Sequence, residues 1–394
     1  MCGEKKIIKN GYKIRKIEHL TDLFWKRLYK IQIPKYICSK CKNSFSEHFT
    51  FAPPNCKYSL ETLYAILNSL REPSTNFSSV AKQFGISCQE CINLFNKYVS
   101  IPKIIELPII LCFDEKFINR TIATNGYAFI IVDFINKKIF DILSSRKKED
   151  LYRYFSKFPK VQREKVKYII IDMNSTYLEI AKVFFPNATI IVDSFHVVRL
   201  VRNAFDKIRK DIQKNYDNGA DSLEQNTNFY YMLKTGKDSL LKFYTVLNNE
   251  RRYNHKLRMM ISERTFVNYT LNIDQSLKKA YYLLQDYYEF NKYETDETVK
   301  DAIEEITKKF IESEINEFIE TAYTIIRWKE YIINSFTKIF DKKKYQNRRL
   351  SNGPVESLNN LIERIHVIGN GYKDFPLFKK VCFCKINKTI TFNF

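Results

Sequence analysis

Between Leu107 and Arg209 the apolar positions fall in short blocks separated by polar breaks. Ile109–Phe113, Tyr127–Val132 and Ile139–Leu143 are each rich in Ile, Val and Phe, and the breaks between them carry Asn, Gly and Lys. Runs of this length and composition predict buried strands rather than helices. A helical pattern over Lys147–Phe158 precedes a fourth strand, Val166–Ile171, which ends in Asp172. Asn174 suits the cap of a helix over Thr176–Phe185, stopped by Pro186. A fifth strand, Ala188–Val192, ends in Asp193, and a further helix starts at Ser194. The order predicts a three-stranded antiparallel meander followed by two alternating helix and strand units, an α/β domain with a mixed sheet.

Carboxylates stand where the first, fourth and fifth strands end: Asp114, Asp172 and Asp193. In an open sheet with parallel members the strand carboxyl ends form the crevice where ligands sit. Neighbouring carboxylates repel unless a cation lies between them. All-oxygen ligation favours magnesium or manganese, and such sites act on phosphodiesters by a two-metal mechanism. The best third acid lies far downstream. Ser351-Asn352-Gly353-Pro354 is a turn signal opening an amphipathic helix, with Glu356 in its first turn, where the helix dipole favours a carboxylate.

Elsewhere the pattern divides the chain into residues 1–54, 55–100, 101–210, 211–345 and 346–394. Residues 1–54 are basic and aromatic, with a Cys38-Ser-Lys-Cys41 knuckle behind a strand-like Gln32–Ile37. A structural zinc needs four ligands; Cys2 and one of His48, His19 or Cys56 would complete the set. Two buried thiols at a turn is the equal alternative. Ser78–Phe84, the turn Gly85-Ile86-Ser87 and Cys88–Val99 form a helix-turn-helix pattern, whose second helix presents Gln89, Asn93 and Lys97 outward for DNA. From Lys210 to Tyr345 the chain reads helical almost throughout, with no glycine between Gly236 and Gly353. This stretch separates Asp193 from Glu356, so it is expected as an all-α insertion into the catalytic domain. Lys342, Lys343, Lys344, Arg348 and Arg349 precede the Glu356 turn. A charge run is usually a solvated face, but this position favours phosphate contact.

The "FDE" at Phe113–Glu115, "DMNSTY" at Asp172–Tyr177, "FPNATIIVDSFHVV" at Phe185–Val198, "SNGPVESLNN" at Ser351–Asn360 and "GNGYKDFPLFKK" at Gly369–Lys380 resemble, in order, the ISL-three family of bacterial insertion-sequence transposases. The resemblance implies a ribonuclease-H-like catalytic core and DDE chemistry, with Asp114, Asp172 and Glu356 as the acids. Asp193-Ser-Phe-His196 resembles the Asp/Cys-x-x-His motif of Mutator-like transposases, which implies His196 as an orienter or proton donor near the scissile phosphate. Asp193 as the second metal ligand stays open beside Asp172. The family also implies a zinc ribbon in residues 1–54, here missing its first cysteine. It further implies an aromatic in the insertion that stacks on a displaced base, for which Trp328 is the candidate, although core packing is the better expectation for Trp328.

A formal charge of +21 over 394 residues strengthens the DNA reading, since it calls for a polyanionic partner. No apolar stretch approaches the roughly 20 residues of a membrane span, and the N-terminus is too polar for a signal peptide. Nine cysteines, an odd number, fit reduced thiols rather than a disulfide framework. The expectation is a cytoplasmic, nucleoid-associated transposase that binds the terminal inverted repeats of its element and target DNA as a homo-oligomer. It would use Mg2+ or Mn2+ to cleave and join strands. Two alternatives are a nuclease of the same fold that does not join strands, and a catalytically impaired DNA-binding descendant.

Overall fold

The computed structural model describes residues 7–20, 25–47, 49–102, 106–216, 223–341, 346–388 and 391–394. At its centre is a five-stranded mixed sheet in the order Lys138–Leu143, Tyr127–Asp133, Ile110–Phe117, Tyr168–Ile171, Thr189–Val192. The first three strands in sequence pair antiparallel as the expected meander, and the last two add in parallel to the Ile110 side. Because successive side chains of a strand point to opposite faces, each core strand feeds two separate cores. Leu111, Phe113, Ile169, Ile171, Ile190 and Val192 enter the core shared with the helices that follow Asp193. Ile110, Cys112, Ile170 and Ile191 enter the core shared with the N-terminal helical pair and the C-terminal helices. Each fully buried Ile contributes about 1.5–3 kcal/mol. A strand with no polar face is what its unbroken apolar sequence predicts.

The first core strand runs beyond the expected stop at Phe113. Its pairing with Tyr127–Asp133 continues through Asp114, Glu115 and Lys116 to Phe117, whose ring packs edge-on against Tyr127 at 5.3 Å. Antiparallel pairing satisfies the backbone there whatever the side chains are, so two acids do not end the strand. Asp141, in the third strand, is buried: it accepts from the Tyr154 hydroxyl at 2.8 Å and pairs with Lys379.

Beyond the sheet, the helix Ser194–Gln213 carries the chain through position 210 without a break. Gln275–Tyr293 and Asn316–Asn334 pack along it, and Asn334 Nδ2 donates to the Ile190 carbonyl at 2.9 Å, tying the far end of this section back to the last strand. The section is not all-α as expected. Arg251–Asn254 and Met259–Ser262 pair as an antiparallel hairpin. Their residues lack a 3.6 period, Arg258 takes a left-handed φ of 53°, and Asn254 Oδ1 accepts the Leu257 N–H at 3.0 Å, which closes the turn. A second hairpin, Lys338–Asp341 with Gln346–Arg349, replaces the helical reading at the end of this section.

The N-terminal part is a long hairpin, Ile7–Leu20 with Lys26–Cys38, joined by the short strand Ser44–Ser46. Behind it, Phe77–Phe84 ends at Gly85, whose φ of 60° makes the turn, and Ser87 caps Cys88–Tyr98 by accepting the Glu90 N–H at 3.1 Å. A π-helical turn, Phe383–Asn387, clasps these parts to the sheet. Lys385 Nζ donates to the Glu72 and Thr75 carbonyls at 2.6 and 2.7 Å. Asn387 accepts the Ile139 N–H at 3.0 Å and donates to the Ile139 carbonyl at 2.7 Å, so it acts as a short strand on the sheet edge.

Asn387→Ala leaves the Ile139 N–H and carbonyl unpaired in a buried place. The expected loss of stability in urea denaturation is about 2–3 kcal/mol; a loss below about 0.5 kcal/mol would show that water replaces the side chain.

Candidate active site

The carboxylates are aligned by register. In the parallel pair, Ile110, Leu111 and Cys112 lie opposite Tyr168, Ile169 and Ile170; two residues further, Asp114 comes level with Asp172. The next pair sets Ile171 opposite Val192, so Asp172 comes level with Asp193. Strands lie about 4.8 Å apart, which puts three acids in a row along one edge of the sheet. By alternation Asp114, Asp172 and Asp193 share the face of Cys112, Ile170 and Ile191, the face on which the helix Gly353–Ile368 packs through Val355, Leu358 and Ile362.

That helix is fixed to the acidic edge at three points. Asn359 Nδ2 donates to Asp114 Oδ2 at 2.7 Å. Lys116 Nζ reaches Glu363 Oε2 at 2.7 Å. At its start, the Asn352 N–H donates to Asp193 Oδ1 at 3.1 Å. Asp193 occupies the N-cap position of its own helix, yet its side chain serves another one. At 4% exposure, with an oxygen already engaged, it positions the Glu356 helix. Asp172, by contrast, has a buried Oδ1 without a hydrogen-bond partner, and on the docked helix the Asn352 side chain and Asn359 Oδ1 are buried and unpartnered too.

Burial raises the Asp114 carboxyl above its ordinary range, against the Glu115 N–H that it accepts at 2.8 Å and the nearby His196. Burial pushes Asp172 up to about 6, opposed by His196 and reinforced by Asp114 and Glu115. Asp193 is raised by burial as well, with the Asn352 N–H pulling the other way. The His196 ring stands near all three acids, and its Nε2 lies 3.9 Å from Asp193 Oδ2. Glu115 points to the opposite face, where it pairs with Arg146 and accepts from the Tyr177 hydroxyl at 2.6 Å. It braces the helix that follows Asp172.

The structure therefore brings Asp114, Asp172, Asp193 and His196 to one edge. Glu356 stands in the first turn of the docked helix, exposed, one turn before Asn359. Among the described residues, no three His, Cys, Asp or Glu side chains converge tightly enough to hold an ion as they stand. The same holds for Cys38 and Cys41, which flank a turn with Cys38 buried and Cys41 exposed. Cys2 and His48 lie outside the described residues, as do Lys342, Lys343 and Lys344. His19 is engaged with Ser59, ring Nδ1 to hydroxyl at 2.9 Å, and Cys56 is buried.

The remaining candidates divide. Gln89, Asn93 and Lys97 are exposed along one side of their helix, with Gln89 accepting from Lys373 at 3.0 Å. Arg349 turns inward: it donates to Ser335 and Asn291 carbonyls and its guanidinium lies 3.7 Å over Phe336, so it anchors the second hairpin to the helices. Arg348 lies 4.4 Å over the Phe134 ring. Trp328, 6% exposed, packs against Tyr331 in the helical core, a position that supports packing rather than base stacking. Asn352 and Asn359 escaped the sequence reading, although both sit inside the stretch around Glu356; spacing of one helical turn was the available signal.

Over 102 residues the chain is 29% identical to the transposase for insertion sequence element IS1001 of Bordetella parapertussis. That match covers 26% of this chain and spans about a quarter, 24%, of the relative's length. No helix of the described residues is long and apolar enough to cross a membrane. A transposase family model of the ISL-three type matches residues 111–382, most of the chain, from the first acidic strand to the C-terminal helix. The chain belongs to the ISL-three family of transposases.

Proposed function

We propose that the protein is a metal-dependent DDE transposase that binds the ends of its own insertion sequence, cuts there and joins the freed 3′ hydroxyls to target DNA. The observation that carries this is the register that sets Asp114 level with Asp172, with the Glu356 helix tied to the same edge through Asn359. The strand order supports a ribonuclease-H-like core, interrupted after Asp193 by the helical section and resumed at the Glu356 helix.

The donor set suits a hard divalent ion. Asp114 and Asp172 are partly buried carboxylates raised by burial, and the Asp172 Oδ1 lacks a partner that a cation would supply. Asp114 and Asp172 would hold Mg2+ or Mn2+, with Glu356 completing the set from the docked helix. Bound there, the ions supply positive charge to the attacking and leaving oxygens of the phosphodiester exchange. Asp193 positions the acidic helix instead of ligating. His196, beside Asp193, orients the phosphate or hands a proton to the leaving oxygen. The helical pair, with Gln89, Asn93 and Lys97 outward, reads the element's end in a major groove. The hairpin of residues 7–38 adds basic surface, and a zinc held by Cys38 and Cys41 stays part of the reading. Pairing of two ends calls for a dimer or larger assembly on DNA.

On a labelled element end with Mg2+, Asp114→Asn and Glu356→Gln should each lower cleavage and strand transfer by more than about 100-fold, beyond what losing a metal's outer-shell partner costs, at unchanged DNA affinity. Wild type that binds the end yet neither cuts nor joins would make the chain a DNA-binding descendant; cutting without joining would make it a nuclease. Replacing Gln89 and Asn93 together by Ala should weaken end binding by about 10-fold or more and relax sequence preference, measured by competition against scrambled duplex.

A carboxyl whose folded pKa exceeds its unfolded value costs stability as pH rises through the interval between them, from 3.8 to about 6 for Asp172. Asp172→Asn should therefore stabilise the ion-free protein by roughly 1–3 kcal/mol near pH 8 and leave it unchanged near pH 3. Added Mg2+ should raise the melting temperature of wild type and not of the variant; equal responses would remove Asp172 from the metal site.

A further inference from the structure

The hairpin Arg251–Asn254/Met259–Ser262 stands apart from the chemistry already described. From Arg251 to Ser262 it carries Arg251, Arg252, Lys256 and Arg258 and no acid. Register divides its faces. Arg252 and Asn254 share a face with Met259 and Ile261; Ile261 is buried against Met232 and Phe266, and Asn254 donates to the Tyr231 hydroxyl at 3.1 Å. That face seats the hairpin on the helix Glu224–Thr235. The other face turns outward with Arg251, Tyr253 at 52% exposure and Met260 at 57%. Arg252 is paired at 3.0 Å with Glu250. Arg251, and Lys256 and Arg258 at the tip, are exposed. A basic ribbon around an exposed Tyr–Met pair has the chemistry for duplex DNA: cations for phosphates and a small apolar surface for sugars, on a two-stranded ribbon of the size that grooves admit.

Position selects which part of the DNA. The helix Ser194–Gln213 starts beside the acidic edge and spans about 30 Å. Near its far end Arg209 Nη1 donates to the Leu233 carbonyl at 2.7 Å, fixing the helix on which the hairpin sits. That anchor lies about 22 Å along the helix axis from its start, so the hairpin stands on the order of one turn of B-DNA, about 34 Å, from the acids. The hairpin also belongs to the section packed on one face of the sheet, whereas the Cys88–Tyr98 helix packs on the other. A duplex crossing the acidic edge with its element end on the Cys88–Tyr98 side continues toward the hairpin on the side beyond the cut.

We infer that the Arg251–Ser262 hairpin is a second DNA contact, gripping the flanking duplex about one helical turn beyond the scissile phosphate. This rests on the end-binding reading above. The test is hydroxyl-radical footprinting and salt-dependent binding of the full chain on two duplexes, one ending at the element boundary and one continued by 15 or more base pairs of flank. The variant combines Arg251→Ser, Lys256→Ser and Arg258→Asn, all exposed, with Asn chosen for the left-handed position; thermal denaturation checks its fold. Wild type should protect both element end and flank. The variant should lose only the flank protection, and its log Kd against log salt slope should fall by about 2–3 on the flanked duplex and stay unchanged on the short one. Retained flank protection, or equal slope loss on both duplexes, overturns the inference and leaves end binding intact. No protection of the element end by wild type overturns the end-binding reading itself, and the inference with it.

Discussion

The parallel register between Ile110–Phe117, Tyr168–Ile171 and Thr189–Val192 is the constraint on which the rest depends. Three neighbouring strands in step present their next residue at the same level, and in this chain that residue is Asp each time. Slipping any strand by one position would turn its acid to the opposite face. The apolar residues prevent it: Leu111, Ile169 and Ile190 would exchange cores with Cys112, Ile170 and Ile191, and the two cores are lined by different side chains. Sheet packing thus holds together groups whose mutual repulsion would scatter them.

Crowded, half-buried carboxylates raise the free energy of the folded chain, and the surroundings offset this unequally. Asp114 has the Asn359 amide and a backbone N–H; Asp193 has the Asn352 N–H; Asp172 has an oxygen with no partner. The two satisfied acids also do mechanical work, since their partners belong to the helix that carries Glu356. Asp114 and Asp193 thus tie the Glu356 helix to the acidic edge, while Asp172 keeps one buried oxygen unsatisfied.

Strands and catalytic-region helices were legible because both faces of the sheet are buried, which leaves near-continuous Ile, Val and Phe between polar breaks. Asp114 and Asp172 stood out by their place at the ends of those runs, and Glu356 by its place in the first turn of the downstream amphipathic helix. What escaped depends on long-range pairing. Extension of the first strand past Phe113 needs Tyr127–Asp133 as its partner. The hairpins at Arg251 and Lys338 are only four residues to a strand, with no sustained alternation to betray them. Arg349 reads as surface charge until Ser335, Asn291 and Phe336 close around it. The buried Asp141 pairs with Lys379, more than 200 residues later, a contact that no local pattern announces.

The order in which the ribosome delivers these parts matters. Asp114, Asp172 and Asp193 emerge within one continuous stretch of the sheet, but the helix that two of them anchor follows only after the whole helical section, and the Lys385–Asn387 clasp later still. At roughly 5–20 residues per second, that helix leaves the ribosome about 10–30 s after Asp193. Through that interval the acidic edge is a half-built surface, lacking the helix that Asp114 and Asp193 hold in the finished fold.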